Sequence, residues 1–532
     1  MIERNSSTCA WIGVLALMVS GCASVPADSG RGEVDALVGV RGQPVETVTE
    51  TLVTELMDAP LSAESAIRLA LINNPRLQAT YATLGFGAAD VYQAGRIRTP
   101  VSAGAILDSN VAGERDQLSL GLVTSFTDLI TLRARSRLSR GAFAALQQSV
   151  GAQVILVAAE TERAYYYYVG AQQVAALRAQ IAKAGALSAA LAQRFRDAGN
   201  LTPRELALER AAASAARLSA LDAEAEAFAA RTELAQMLGL SVGDPWRAPA
   251  ALHLPLEHED ALEALLTIAK DTRLDLAAAR TRADVLADQL GVVNWTRWLG
   301  ELDVGIERER ETDGVRLTGP TVDWEIPVFN QHKDALLRAD ADLKIAVSEV
   351  RRLTIDVDNS VRLAYAKLDN ARARIEEHRT GLIPQRIETV VRAQEEVNFM
   401  LIGIFELIAL KQEEYDAYQG YLEAIRDYWL ARADLSLAAG SALPSSSQIG
   451  EQRIDVEEFV RPKSGGMDHS GHGGGDNRSQ MNEEDDSNNT MDHSGHEMNG
   501  SDQAGRSGEN QHKESAPASK SGRDVHDHGG SQ

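Results

Sequence analysis

The chain has 532 residues, of which 44% are apolar, 5% aromatic and 24% charged, and its formal net charge is −23. That length permits several domains' worth of core, but the scarcity of aromatics and the Ala/Leu/Arg/Glu bias favour long helices over a compact globule. The acidic balance argues against a nucleic-acid partner, which requires a basic face for phosphates, and neither a phosphate-binding loop nor a dinucleotide fingerprint is present.

Residues 10–20 form an apolar run of eleven, too short to cross a bilayer and of the length of a signal-peptide core. The run leads into Val19, Ser20, Gly21 and Cys22, which resembles the lipobox of bacterial lipoproteins. The resemblance implies a signal peptide over 1–21, acylation (palmitate) of Cys22 and, because Ala23 rather than Asp follows, sorting to the outer membrane. Cys9 leaves with the signal, so no disulfide is expected. Residues 22–60 mix Gly, Pro and Asp and read as an extended lead.

A first repeat is expected over 61–240. Ser62 is an N-cap candidate for a helix that Pro75 restarts and that continues to about Arg98. Residues 101–110 and 117–126 read as strands; in the second, Leu118, Leu120, Leu122 and Phe126 fall on one face. A helix from about Leu129 to Asp197 would be roughly 100 Å long. It stops where Gly199 and Asn200 suit the left-handed conformation, and Thr202, Pro203 and Glu205 spell a capped restart towards Leu238. Two long helices joined by so short a turn lie antiparallel.

After a linker over 241–259 the pattern returns over 260–441, offset by about 200 residues. Arg273 and Leu274 echo Arg76 and Leu77; Ala364 and Tyr365 echo Ala164 and Tyr165; Gly440 echoes Gly239. Strands are expected at 301–309 and 315–328, with Leu302, Val304 and Ile306, then Val322, Trp324, Ile326 and Val328, alternating with carboxylates. A long helix from His332 to Met400, kinked at Pro384, and a last one from Phe405 to Ala439 complete the copy. Four strands of this length cannot close a barrel, and an open sheet cannot face lipid, so strands that span a membrane must be pooled among chains. The bland alternative is a small soluble β-domain between helical arms.

Over residues 58–441 the chain resembles the TolC family of outer-membrane efflux factors. The resemblance rests on Leu61, Ser62 and Ala66 with Asn73, Asn74, Pro75 and Leu77; Gln93 and Gly95; Ala198 and Gly199 with Glu205 and Leu206; Leu234 and Gly239; Ile326, Pro327, Phe329 and Asn330; and Ala431 to Leu435. The second turn, with Lys411 and Arg426 beyond it, looks most like members serving heavy-metal effluxers. The family implies a mainly α protein with a membrane β-barrel: a homotrimer pooling four strands per chain into a twelve-stranded barrel, above a periplasmic α-helical coiled-coil tunnel. It implies a periplasmic adaptor, an RND-type inner-membrane heavy-metal pump and outer-membrane lipid as partners, and contacts or a gate at the helix tips. The tip residues are Arg196, Asp197, Gly199, Arg204 and Glu205 in the first copy and Met400, Gly403, Phe405 and Glu406 in the second. The second tip is apolar where the family pattern is commonly charged or polar.

Beyond Gly440 lies a linker and then a tail that reads as disordered over 463–532. The tail holds seven of the eleven histidines and four of the nine methionines. The hexapeptide MDHSGH occurs at 467–472 and again at 491–496, followed by Met498. Thioether with imidazole suits Cu(I) or Ag(I), and imidazole with carboxylate suits Cu(II). The candidate ligands are Met467, His469, His472, Met491, His493, His496, Met498, His526 and His528. No cofactor is required and no enzyme activity is expected. Three functions remain open: an outer-membrane exit duct for copper or silver, a duct for drugs or type I secretion, and a lipid-anchored copper-sequestering protein without a pore.

Overall fold

The computed structural model describes residues 28–44, 50–96, 102–108, 117–310, 315–325, 328–329, 331–450, 452–454, 456 and 459. In chain order the helices are α1 Arg31–Gly39, α2 Glu50–Asp58, α3 Ala63–Asn73, α4 Pro75–Ala94, α5 Phe126–Asp197, α6 Pro203–Met237, α7 Leu262–Thr272, α8 Leu274–Thr296, α9 Lys333–Glu376, α10 Ile383–Asn398 and α11 Ile404–Ala439. The strands are β1 Ser102–Asp108, β2 Gln117–Ser125, β3 Glu301–Arg310 and β4 Arg316–Glu325.

α5 has 72 residues, which at the α-helical rise is about 108 Å. It packs along α6, α11, α8 and α4, while α9 packs on α8 and α11. One stretch of α5 is apolar and long enough to cross a membrane, but half of it is buried against these neighbours, as a core helix requires. The larger core joins Tyr166, Leu177, Leu234, Leu368, Tyr428 and Trp429, and Tyr166 stacks on Trp429 at 5.0 Å between centroids. Ala164 and Ala364, equivalent in the two repeats, both lie in this core.

The two repeats end their long return helices by the same device. Gly239 and Gly440 follow α6 and α11 in left-handed conformation, with φ of +67° and +72°. The Asn73 side chain donates to the carbonyls of Gly239 (2.8 Å) and Leu238 (3.2 Å), and that of Asn74 to Met237 (2.8 Å). In the second copy Thr272 donates to the carbonyl of Ala439 (2.6 Å) and Arg273 to that of Ala438 (3.2 Å). Each helix C-terminus is thus capped by side chains at its own repeat's α3–α4 or α7–α8 junction, satisfying carbonyls left unpaired at a helix end. Asn74 also caps α4, accepting from the N–H groups of Arg76 and Leu77, with Pro75 at the first helical position.

Several expectations need correction. The lead is not extended among its described residues: it forms α1 and α2. Asp28 accepts from the N–H groups of Gly30 (3.0 Å) and Gly32 (2.8 Å), nucleating α1, and Val34 and Val38 bury completely against Leu77, Val150 and Val154. Helix α4 ends at Ala94, with Gly95 as its cap, before Arg98. Phe126 opens α5 instead of ending the strand, because Ser125 accepts from the Asp128 N–H as an N-cap. β4 ends at Glu325, and 326–327 lie outside the described residues. The helix expected from His332 to Met400 is interrupted at Glu377–Leu382 by a π-helical segment. Pro384 cannot donate to the carbonyl four residues back, so the ladder loosens on its N-terminal side.

Neither the linker at 241–259 nor the start of the C-terminal segment is free. Trp246 and Leu252 are buried, the Arg231 guanidinium lies 4.0 Å from the Trp246 ring centroid, and the Trp429 indole donates to the His253 carbonyl at 2.9 Å. Glu259 forms a buried ion pair with Arg432 and also accepts from Tyr428. The Arg432 Nη2 also donates to Ser445 (3.0 Å) and Ser446 (3.1 Å), adding hydrogen bonds of the kind a buried pair needs. Leu443 and Ile454 are buried in the larger core, and Phe459 stacks on Tyr418 at 4.5 Å. The fold therefore extends past Gly440.

Candidate functional sites: the helix tips and the two-faced sheet

Both helix turns are Schellman motifs. At the first, Asn200 N–H donates to Phe195 O (2.9 Å) and Gly199 N–H to Arg196 O (2.9 Å), with Gly199 at φ +79°. At the second, Leu401 N–H donates to Glu396 O (2.9 Å) and Met400 N–H to Val397 O (2.9 Å). The left-handed residue there is Met400, at φ +58°; Gly403 is extended and precedes α11 without a side-chain cap. A side chain in that conformation costs about 1 kcal/mol, and Met400 is 92% exposed, so the strain is not repaid by burial.

The first tip is polar and self-satisfied. Thr202 and Glu205 form a complete capping box: the Glu205 N–H donates to the Thr202 hydroxyl oxygen (3.2 Å), and Thr202 N–H and hydroxyl donate to the Glu205 carboxylate (2.8 and 2.7 Å). These donors hold the Glu205 carboxyl below its ordinary range. Arg196 donates to the Leu201 carbonyl (2.9 Å), and Asp197 accepts from Gln193 (2.6 Å). Arg204 is exposed. The second tip presents Phe399, Met400 and Leu401, all at least 72% exposed, and Glu406 beside them. The structure joins the tips: Phe195 and Phe405 meet edge to face with centroids 6.0 Å apart. Phe195 was not among the residues singled out by sequence, because an aromatic at the end of an Ala-rich helix carries no periodic signal of its own.

Three expected results follow for the tips. Thr202→Ala removes the cap, and amide exchange in the first turn of α6 should quicken roughly fivefold. Because the Glu205 carboxyl is lowered, its contribution is present above the ordinary glutamate range and is lost as pH falls through its folded value, so the protection of the same amides relative to their intrinsic exchange rate should fall in acid. Met400→Gly should relieve the strain and slow exchange in the 396–401 turn by about fivefold; unchanged exchange would show that the turn holds no strain.

The sheet is antiparallel, in the order β1-β2-β3-β4, and the edges at β1 and β4 have no partner strand among the described residues. Its register puts the carboxylates of β3 and β4 on one face, where Val123 and Leu317 also lie, and the other apolar residues of β2 to β4 on the opposite face. Leu120, Ile306, Val322 and Trp324 lie on one face, with Leu302 and Val304 between them, and all of the first four are about half exposed or more. Ser119, Gly121, Glu301, Asp303, Glu307, Glu309, Asp323 and Glu325 lie on the other. Glu301 stands directly opposite Glu325, and Asp303 opposite Asp323. Like charges across a strand pair destabilise a sheet, so folding alone does not account for this arrangement.

Cys22 and the tail residues Met467, His469, His472, Met491, His493, His496, Met498, His526 and His528 lie outside the described residues. Among the described residues, no group of three or more His, Cys, Asp or Glu side chains is placed to hold a metal ion.

The chain matches no protein-family model, and no curated protein sequence is significantly similar to it. Solved structures are similar. CusC, described for conformational changes accompanying folding and transmembrane channel formation, aligns with a TM-score of 0.60 at 16% identity, over 71% of this chain and 92% of that one. The outer-membrane protein VceC of Vibrio cholerae aligns with a TM-score of 0.59 at 16% identity, over 71% of this chain and 96% of that one. The CmeC outer-membrane channel of Campylobacter jejuni gives 0.59 at 15% identity, over 75% and 88%. The chain therefore has the mainly helical fold of TolC-type outer-membrane channels, with the long helices that build their tunnel.

Proposed function

We propose that this chain is the outer-membrane duct of a tripartite efflux system that exports metal cations, copper or silver foremost. The observation that carries the reading is the two-faced open sheet at one end of the long helices. An apolar face needs lipid, and open edges are not tolerated in lipid. Three copies pooling four strands each close a twelve-stranded barrel, with the apolar face outward and the carboxylates inward. Opposed carboxylates, costly to the sheet, favour cations in the lumen. Cys22 anchors the chain by lipid. The helix tips meet a periplasmic adaptor and, through it, an RND-type inner-membrane pump. Exposed Phe399, Met400 and Leu401 supply the apolar part of that contact.

The choice of metal rests on the tail, where the repeated MDHSGH supplies thioether and imidazole donors. Such donors collect soft metal ions for export. The test is the growth of a strain lacking this protein on copper, on silver and on a panel of organic drugs. Lost tolerance to the metals alone supports the reading. Lost tolerance to drugs alone replaces it with a drug duct. Restoration of full metal tolerance by a chain ending at residue 462 removes the tail from the mechanism.

A further inference from the structure

The apolar face of the sheet is not apolar throughout. Arg308 lies on it opposite Thr318, and Arg316 lies on it at the start of β4, opposite the register position of Arg310. All three positions are at the hairpin end, away from the helices. At the helical end of the same face stands Trp324, whose indole donates to the Leu299 carbonyl at 2.9 Å, near exposed Trp295 and Trp298. Between them lie Ile306, Val322, Val304 and Leu302.

This order has a spacing. Eight residue steps separate Trp324 from Arg316, about 27 Å along the strand and roughly 20 Å along the membrane normal at usual barrel tilts. That is close to the height of the apolar band of an outer-membrane barrel, which is about 25 Å. Trp324 thus marks one membrane boundary, as aromatics do, and the arginines stand at the other. Arg308 and Arg316 are diagonal neighbours across the β3–β4 pair, with Cβ atoms roughly 7–8 Å apart, a separation that two guanidinium groups bridge onto one tetrahedral anion. Both are exposed, and among the described residues neither has an ion-pair partner. The nearby carboxylates of Glu307 and Glu309 cannot neutralise them, because they lie on the opposite face.

We infer that Arg308 and Arg316 form a binding site on the outer wall of the barrel for the phosphate of a phosphorylated lipid head group in the outer leaflet. The site rests on the membrane-spanning reading above and deepens it. The lipid supplies the anion that the protein lacks on this face, and fixes the height of the barrel in the membrane at the end opposite the tryptophans. With the barrel closed, it recurs once in each protomer.

The test uses the full lipidated chain, reconstituted in phosphatidylcholine vesicles containing either a phosphorylated lipid A or its dephosphorylated counterpart. Lipid retained per protein after detergent extraction is read by native mass spectrometry, and ion conductance is recorded in parallel. The wild type should retain the phosphorylated lipid, and R308Q/R316Q should retain roughly tenfold less while conducting normally. R308K/R316K should keep an intermediate amount, since charge remains but the bidentate geometry is lost. The wild type alone also decides: it should discriminate between the two lipids even if the glutamine pair fails to assemble. Equal retention of both lipids by a conducting wild type overturns the inference and leaves the channel reading standing. A wild type that neither inserts nor conducts overturns both.

Discussion

Ile306→Arg is expected to drive the chain out of the membrane. Ile306 lies in the middle of the apolar face, is 59% exposed, and stands opposite Pro320 on β4 and Leu122 on β2. An arginine at the bilayer midplane costs about 2–4 kcal/mol, and in a closed trimer it enters three times, so the assembly loses roughly 6–12 kcal/mol. That is comparable with the whole stability of many proteins. The readout is the fraction of protein recovered as folded oligomer from vesicles. Glu325→Gln is the matched control: it also changes charge in the sheet, but on the opposite face, and should insert normally. If Ile306→Arg inserted as well as the control, the apolar face would not be a lipid face.

The second large effect is expected at Gly239. A Cβ there would sit 2.4 Å from the Asn73 carbonyl oxygen and 2.8 Å from its carbon, both backbone atoms that cannot swing aside, and φ is +67°. Gly239→Ala therefore adds the left-handed penalty of about 1–2 kcal/mol to the loss of the Asn73 contacts, each worth about 1 kcal/mol. The sum is about 3 kcal/mol or more, read as a lowered midpoint of denaturant unfolding. Gly199→Ala separates the two causes: φ is +79° there, but nothing lies within 4 Å of the added Cβ, so only the conformational part should appear. Equal effects at both sites would mean that the contact with α3 contributes nothing.

These positions also show what could be read from sequence. The first turn was legible in detail because Gly199, Thr202, Pro203 and Glu205 each have one local role, set by backbone sterics or by a hydrogen bond three residues away. The strands were legible by alternation, and the repeat by the recurrence of weak signals in the same order. What was missed depends on contacts between distant segments. Val34 and Val38 make α1 a packed helix only because Leu77, Val150 and Val154 are there to bury them. Leu443 and Ile454 sit in Ser-rich sequence that reads as linker, yet they close the core. At the second turn the left-handed residue is Met400, and no glycine marks it in the sequence; Gly403, three residues on, is extended. The pairing of Phe195 with Phe405 joins residues of different repeats and leaves no trace in either. The separation of carboxylates from apolar residues was visible strand by strand, but the opposition of Glu301 to Glu325 and of Asp303 to Asp323 required the register.

The most direct test of the central claim is single-channel recording from the purified full-length protein in planar bilayers, with its oligomeric mass measured on the same sample. A species of three chains with steady, cation-selective conductance, less selective in D303N/D323N, is the expected result. A monomer that passes no current would contradict it.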